Sequence, residues 1–139
     1  MTDEEDLQLC QKYPKIFKHR NESIMETCMA WGFECGSGWY NIIDTLCYQI
    51  QQHVDWKSKN LSEEEKESFQ VIADQVKEKF GTLRFYYHGG DDFVEGLVNM
   101  AESMSSLTCE RCGSPGIKRT KGWIVTLCDS CNDKKEIQG

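Results

Sequence analysis

Four cysteines near the C-terminus form two pairs, Cys109-Glu110-Arg111-Cys112 and Cys128-Asp129-Ser130-Cys131, with fifteen residues between the pairs. Two residues between cysteines let one tight turn aim both sulfurs at a common point, and a second such turn closes a tetrahedron around a metal ion. The spacing therefore predicts one structural Zn²⁺ held by Cys109, Cys112, Cys128 and Cys131. Four protein sulfurs leave no coordination position for water or substrate, so the site is expected to hold structure and not to catalyse.

The chain of 139 residues can bury a core of its own, which makes the metal a staple on a body and not a substitute for one. Residues 1–20 are acidic, then mixed with Lys12, Lys15, Lys18 and Arg20, and hold no apolar export segment. No apolar run is long enough to span a membrane. The expected compartment is a reducing cytoplasm, where paired cysteines read as metal ligands in preference to disulfides.

Net charge is −7, but it is unevenly spread: residues 1–108 carry net −9 and residues 109–139 carry net +2, close to neutral once four thiolates and one Zn²⁺ are included. Such a balance argues against a long footprint on duplex DNA. It favours a solubilising surface, or one complementary to a basic partner.

The expected architecture is α+β, with an acidic, mostly helical body over 1–108 that contains a β-hairpin, and a zinc module over 109–139 packed on it. Asp3 to Tyr13 reads as a helix with Leu7 and Cys10 on its inner side and Pro14 at its end. Glu22 to Ala30 reads as a second, short helix burying Ile24, Met25, Cys28 and Met29. Residues 31–40, with three glycines and four large aromatics, read as a fixed irregular loop. From Trp39 to Trp56, Ile42, Ile43, Leu46, Cys47, Ile50 and Val54 recur at helical spacing.

Lys57 to Lys66 reads as a surface connection, although Ser62 and Glu65 form a capping-box pattern. For residues 69–87 two patterns compete. A helical stripe (Phe69, Ile72, Ala73, Val76, Phe80) opposes alternation through Val76, Leu83, Phe85 and Tyr87 about Gly81, and the β-formers of Thr82 to Tyr87 favour a hairpin. After His88-Gly89-Gly90, a helix capped by Asp92 and Glu95 is expected to bury Phe93, Leu97, Met100, Ala101 and Met104.

In the module, Gly113 suits a tight knuckle, residues 116–127 a hairpin with Trp123, Val125 and Leu127 alternating, and Cys128 and Cys131 the start of a last helix. Trp123 is expected to anchor the module. Knuckle, hairpin and helix in that order make the treble-clef arrangement, and Leu127-Cys128-Asp129-Ser130-Cys131-Asn132 resembles the second ligand pair of GATA-type fingers. Arg111, Lys118, Arg119 and Lys121 are the candidate nucleic-acid contacts of such a finger, with no stacking series beside them.

Other constellations are weaker. Cys35 beside Glu34 could act as a nucleophile if a base among His19, His53 and His88 reached it. Gly36-Ser37-Gly38 before a helix could offer N–H groups to an anion, and with Glu34, Cys35 and Arg84 it makes a candidate ligand loop. A second metal site from Cys10, Cys28, Cys35, Cys47 and His53 lacks any compact pair.

Cys-Gly-Ser-Gly-Trp at 35–39, Gln-Val-Lys-Glu-Lys-Phe-Gly-Thr-Leu-Arg-Phe-Tyr at 75–86 and Gly-Trp-Ile-Val-Thr-Leu-Cys at 122–128 together resemble a family of small proteins of tailed phages and bacteria. That resemblance implies a host-directed accessory role, including one against a defence system. The expected function is a non-enzymatic binding protein that engages a protein partner. The alternatives are a nucleic-acid-binding regulator acting through the finger, and a protein that sequesters or modifies a small ligand such as a nucleotide through the 31–40 loop. Neither the partner's identity nor the oligomeric state is specified.

Overall fold

The computed structural model describes residues 1–23 and 25–138. Helix α1 (Asp3–Lys12) opens on a reciprocal capping box: the Glu5 N–H donates to Thr2 Oγ1, and the Thr2 N–H donates to the Glu5 carboxylate. Its four first-turn acids sit at the positive end of the helix dipole. The helix buries Leu9, half-buries Cys10 and leaves Leu7 exposed, so its inner face is rotated from the Leu7–Cys10 side. Arg20 grips Asp6 through Nε and Nη2 at 3.0–3.1 Å and ties the helix to the segment after Pro14.

The helix expected over 22–30 does not form. Among the described residues only a 3-10 turn at Cys28–Trp31 exists, with Met25 90% exposed, Cys28 exposed and Met29 buried. Ile24 lies outside the described residues. Exposed Met25 and Cys28 leave no packed apolar stripe to hold a helix there. The next segment is more regular than an irregular loop. Phe33–Glu34 forms a short strand, β1, and a 3-10 turn at Ser37–Trp39 leads directly into α2 (Tyr40–Ser58).

Ser62 and Glu65 make both bonds of their capping box and start α3 (Glu63–Phe69) inside what reads as a surface connection. The hairpin prevails over the helical stripe: β2 (Ile72–Lys79) pairs antiparallel with β3 (Thr82–His88), and β1 runs parallel to β2 on its other edge. The register sets Phe33, Val76 and Phe85 in one buried row, and Glu34, Lys77 and Arg84 in the neighbouring row. Leu83 joins the buried face, on which α4 (Asp92–Ser105) packs.

Helix α4 turns Val94, Val98, Ala101 and Ser105 inward. Phe93, Met100 and Met104, expected to be core, are exposed, and the N-cap is Asp91, whose carboxylate accepts the Val94 N–H. Helices α2 and α4 lie antiparallel. At one end His53 Nε2 meets both Asp91 carboxylate oxygens at 2.9 and 3.1 Å and its ring stacks on Phe93 at 4.3 Å. At the other end Trp39 Nε1 donates to the Thr108 carbonyl at 2.9 Å. Ile43, Leu46, Cys47, Ile50 and Val54 of α2 fill the space between helices and sheet, with Trp39 wholly buried beside them.

Beyond α4, β4 (Ile117–Arg119) and β5 (Val125–Leu127) form a two-stranded sheet, and α5 (Asp129–Gln138) follows. Among the described residues no helix is long and apolar enough to cross a membrane.

Burial alone would raise the Asp91 pKa, but the His53 hydrogen bond, the Val94 N–H and the nearby charges of His53 and Lys57 bring it below its ordinary value of 3.8. A carboxylate depressed in this way adds stability above 3.8 and loses it as pH falls through the folded value. Asp91→Asn should cost about 1–2 kcal/mol near neutral pH, a range that allows for the solvent-exposed edge of the pair. Urea titrations across pH should show the difference from wild type shrinking below pH 3.8.

Candidate metal centre

The sulfurs of Cys109, Cys112, Cys128 and Cys131 all lie within 4.8 Å of one another. Cys112 Sγ and Cys128 Sγ, one from each pair, are 3.6 Å apart. A tetrahedral zinc with Zn–S bonds of about 2.3 Å needs sulfur–sulfur separations of about 3.8 Å. The four ligands therefore fit one ion with shifts of no more than an ångström or so, and four soft sulfurs suit zinc. The ion would be held structurally, its coordination complete.

Local chemistry builds each half. The Gly113 N–H donates to the Cys109 carbonyl, and Gly113 has φ +83°, the left-handed turn that glycine adopts without cost. The Cys109 N–H donates to the Ser114 carbonyl at 2.7 Å and closes the knuckle. The second pair straddles the start of α5, where the Cys131 N–H points at Cys128 Sγ at 3.4 Å. N–H groups at a helix start favour thiolates there.

The hydrogen bonds among the thiols shift them in opposite directions. Hydrogen bonds from Ser114, then from the Cys109 and Cys128 thiols, bring Cys112 down to about 6, whereas the hydrogen bond to Cys128 leads the effects that push Cys131 up to about 12. At Cys109 burial opposes ionisation, but backbone hydrogen bonds from Cys128, Cys112 and Arg111 outweigh it and lower the pKa.

The candidate ligand loop has a different task. The Gly38 N–H donates to the Glu110 carbonyl at 2.7 Å, the Gly36 N–H donates to the Glu110 carboxylate at 2.9 Å, and the Ser37 hydroxyl donates to Glu5 at 2.6 Å. A Cβ on Gly38 would lie 2.1 Å from the Cys109 carbonyl oxygen, and one on Gly36 would lie 2.4 Å from that of Glu110. Gly36-Ser37-Gly38 is thus the seat of the first zinc knuckle, and these three donors are engaged by protein.

Glu34 sits on the edge strand and accepts from Gln75, and Arg84 stands two strands away opposite Lys77. Cys35 is buried, and burial, followed by the charge of Glu110, pushes its thiol up to about 12, the reverse of nucleophile activation. His53 pairs with Asp91, His88 with Asp74 and His19 with Glu22, so none of the three serves Cys35 as a base. Cys10, Cys28, Cys35, Cys47 and His53 form no second metal cluster among the described residues.

Of the candidate nucleic-acid contacts, Arg111, Lys118 and Lys121 are exposed. Arg119 is committed to the fold: its guanidinium donates to the Leu127 carbonyl and to Asp129 at 2.8 Å. Trp123, expected to be an anchor, is 76% exposed. Thr126 anchors instead, being wholly buried and donating from Oγ1 to the Gly81 carbonyl at 2.6 Å. Sequence reading missed Glu110 and Thr126. Their signal was faint, since an acid between two zinc cysteines and a threonine in a short strand look like surface residues.

In comparisons with protein-family models, curated proteins and solved structures, no match to this chain is found.

Metal analysis of the purified protein should find one zinc per chain, lost in Cys109→Ser plus Cys128→Ser. Zinc binding in small modules carries apparent energies of about 10 kcal/mol coupled to folding. Chelation should therefore speed hydrogen exchange over residues 109–134 before it affects α2. Gly38→Ala should destabilise the loaded protein by about 3 kcal/mol or more, because its methyl group would meet backbone that cannot yield as a side chain can. Thermal unfolding measures the loss, and an unchanged midpoint would show that the seat adapts.

Proposed function

We propose that this chain is a non-enzymatic, zinc-stapled binding protein that engages a protein partner with the aromatic tip formed where the β2–β3 turn meets the β4–β5 hairpin. The proposed organisation is a body over 1–108 and a treble-clef zinc module over 109–139. The resemblance to proteins of tailed phages supplies the setting: the partner is a host protein, for which a component of a defence system is the leading candidate.

The observation that carries this reading is Phe80. It is the one non-glycine residue with positive φ among those described, at +53°, in the two-residue turn Phe80-Gly81, where asparagine or glycine would sit more easily. Its ring is 62% exposed, so the core gains little from it. Backbone strain kept at an exposed aromatic points to a use outside the fold. Phe80 shares a cleft of about 360 Å³ with Trp123, between Lys77, Glu78 and Lys79, and large aromatics are enriched among the residues at protein interfaces.

The rival readings have less support. Arg119 is held by Leu127 and Asp129, which shortens the cationic edge available to nucleic acid. The Gly36 and Gly38 N–H groups and the Ser37 hydroxyl are engaged by Glu110 and Glu5.

Affinity purification from host cells with the wild-type chain, Phe80→Asn and Trp123→Ala tests the proposal. Both variants should stay folded with zinc bound, Phe80→Asn being as stable as wild type or more so by about 0.5–1 kcal/mol. Both should lose a partner that wild type retains, by roughly tenfold or more in affinity. Tight binding of oligonucleotides at physiological salt, or nucleotide turnover that depends on Cys35 or Glu34, would replace this reading with the corresponding rival.

A further inference from the structure

Strands β2 and β3 bury Val76, Leu83 and Phe85 on one face, so alternation turns Lys77, Lys79 and Arg84 to the other. The register sets Lys77 directly opposite Arg84, a like-charge pair of the kind that weakens a sheet. Among the described residues, none of these three cations forms an ion pair. The acids nearest to them along the strands are engaged elsewhere: Glu34 accepts from Gln75, Asp74 pairs with His88, and Glu78 accepts the Gly81 N–H. Arg84 Nε is covered from solvent and has no acceptor among the described residues, an uncommon and unfavourable state for a hydrogen-bond donor. On a chain of net −7, this is a strip of positive charge that the fold itself leaves without an anion.

The strip runs into the aromatic tip. Lys79 Nζ lies 5.9 Å from the centre of the Phe80 ring, and Lys77 and Lys79 border the cleft that Phe80 shares with Trp123. The outer edge of β3 is closed, since the Leu83 N–H donates to Ser105 Oγ and the Phe85 N–H to the Glu102 carboxylate. A ligand of these cations therefore lies across the face and does not extend the sheet by pairing with β3.

We infer that the partner engaged by the aromatic tip presents an acidic segment, whose carboxylates meet Lys77, Arg84 and Lys79 while an apolar side chain enters the Phe80–Trp123 cleft. This rests on the reading of the tip as a protein-binding site. Same-face positions along β2 are two residues, about 7 Å, apart, and an extended peptide has the same period. Two acids separated by one residue thus meet the Lys77–Arg84 row and then Lys79, and the apolar residue follows on the Phe80 side. A carboxylate gripped edgewise by the guanidinium, through Nε and one Nη, supplies the acceptor that Arg84 lacks. A peptide suits the strip better than a nucleic-acid strand does. The strip is two rows long, Glu34 stands in the first of them, and the chain as a whole is acidic. An oligonucleotide running past it gains few phosphate contacts and meets repulsion.

A random-peptide display library selected on the zinc-loaded full chain tests the inference. The selected peptides should carry two carboxylates one residue apart beside an aromatic or large aliphatic residue. Their binding should weaken roughly tenfold or more in Arg84→Glu and in Lys79→Glu, and should weaken as salt rises. Arg84→Glu sets a carboxylate opposite Lys77, so its thermal midpoint should equal or exceed that of wild type. Lys79→Glu, at an exposed position, carries the binding comparison if Arg84→Glu fails to fold. A library that yields no acidic motif, or acidic peptides indifferent to the charge reversals, would overturn the inference. So would displacement of the peptides by oligothymidylate at physiological salt. A host protein lost by Trp123→Ala but held at full affinity by Arg84→Glu and Lys79→Glu would overturn the acidic segment and leave the tip's role standing. One that both Phe80→Asn and Trp123→Ala retain would remove the tip's role itself, and this inference with it.

Discussion

Glu110 is the residue on which the two parts of the molecule meet. Its carbonyl takes the Gly38 N–H, its carboxylate takes the Gly36 N–H, and its own N–H donates to the Thr126 carbonyl, so one residue between two zinc ligands is bonded to the start of α2 and to β5. The cost of this closeness is visible on the carboxylate. Burial raises its pKa, the Gly36 N–H only partly offsets that, and the charge of Glu78 adds to the rise. A raised carboxylate weakens the folded state as pH climbs above its ordinary value, so the junction retains a group that favours acid. What makes the closeness possible is the absence of side chains at 36 and 38, where any Cβ would overlap the knuckle backbone.

What could be read from the sequence follows the range of the interaction concerned. The four metal ligands were legible because a CxxC pair is a local arrangement that needs no knowledge of the rest of the chain. Helix α2 was legible from period alone, whereas over 69–87 a helical and an alternating period competed and the β-formers of Thr82 to Tyr87 decided for the hairpin. Helix α4 shows where period fails. Val94, Val98 and Ala101 make one apolar stripe and Phe93, Leu97, Met100 and Met104 make another, and hydrophobicity ranks the larger side chains first. Only packing against β3 and α2 decides which stripe turns inward, and that is a long-range fact.

The glycine loop misled for a related reason. Glycines before a helix are common to anion sites and to places where another backbone approaches closely, and the local sequence is the same in both cases. The partner that distinguishes them, Glu110, lies 74 positions away from Gly36. Trp123 misled in the opposite direction. A large aromatic in a small module suggests an anchor, but here the small, wholly buried Thr126 holds the hairpin to the β2–β3 turn. Trp123 itself lies on the outside of the hairpin.

The segment from Cys109 onward bonds to earlier residues at three places, and one of them adjoins the surface proposed for binding. Thr126 holds the carbonyl of Gly81, next to Phe80, and the Gly116 N–H holds the carbonyl of Leu107, just past α4. The third is the Glu110 seat, beside which Trp39 fixes Thr108. Zinc would therefore reach the proposed binding surface through a few bonds. By closing the knuckle and the start of α5, it would fix β5 and the segment at Gly116, and through them the angle of the strained turn and the end of α4. Losing the ion would free both contacts together, because among the described residues the short β4–β5 sheet has only Leu127 and the ligand cysteines Cys109 and Cys131 as its buried hydrophobic cluster. A core of that size cannot hold a hairpin in place without the bonds to the metal.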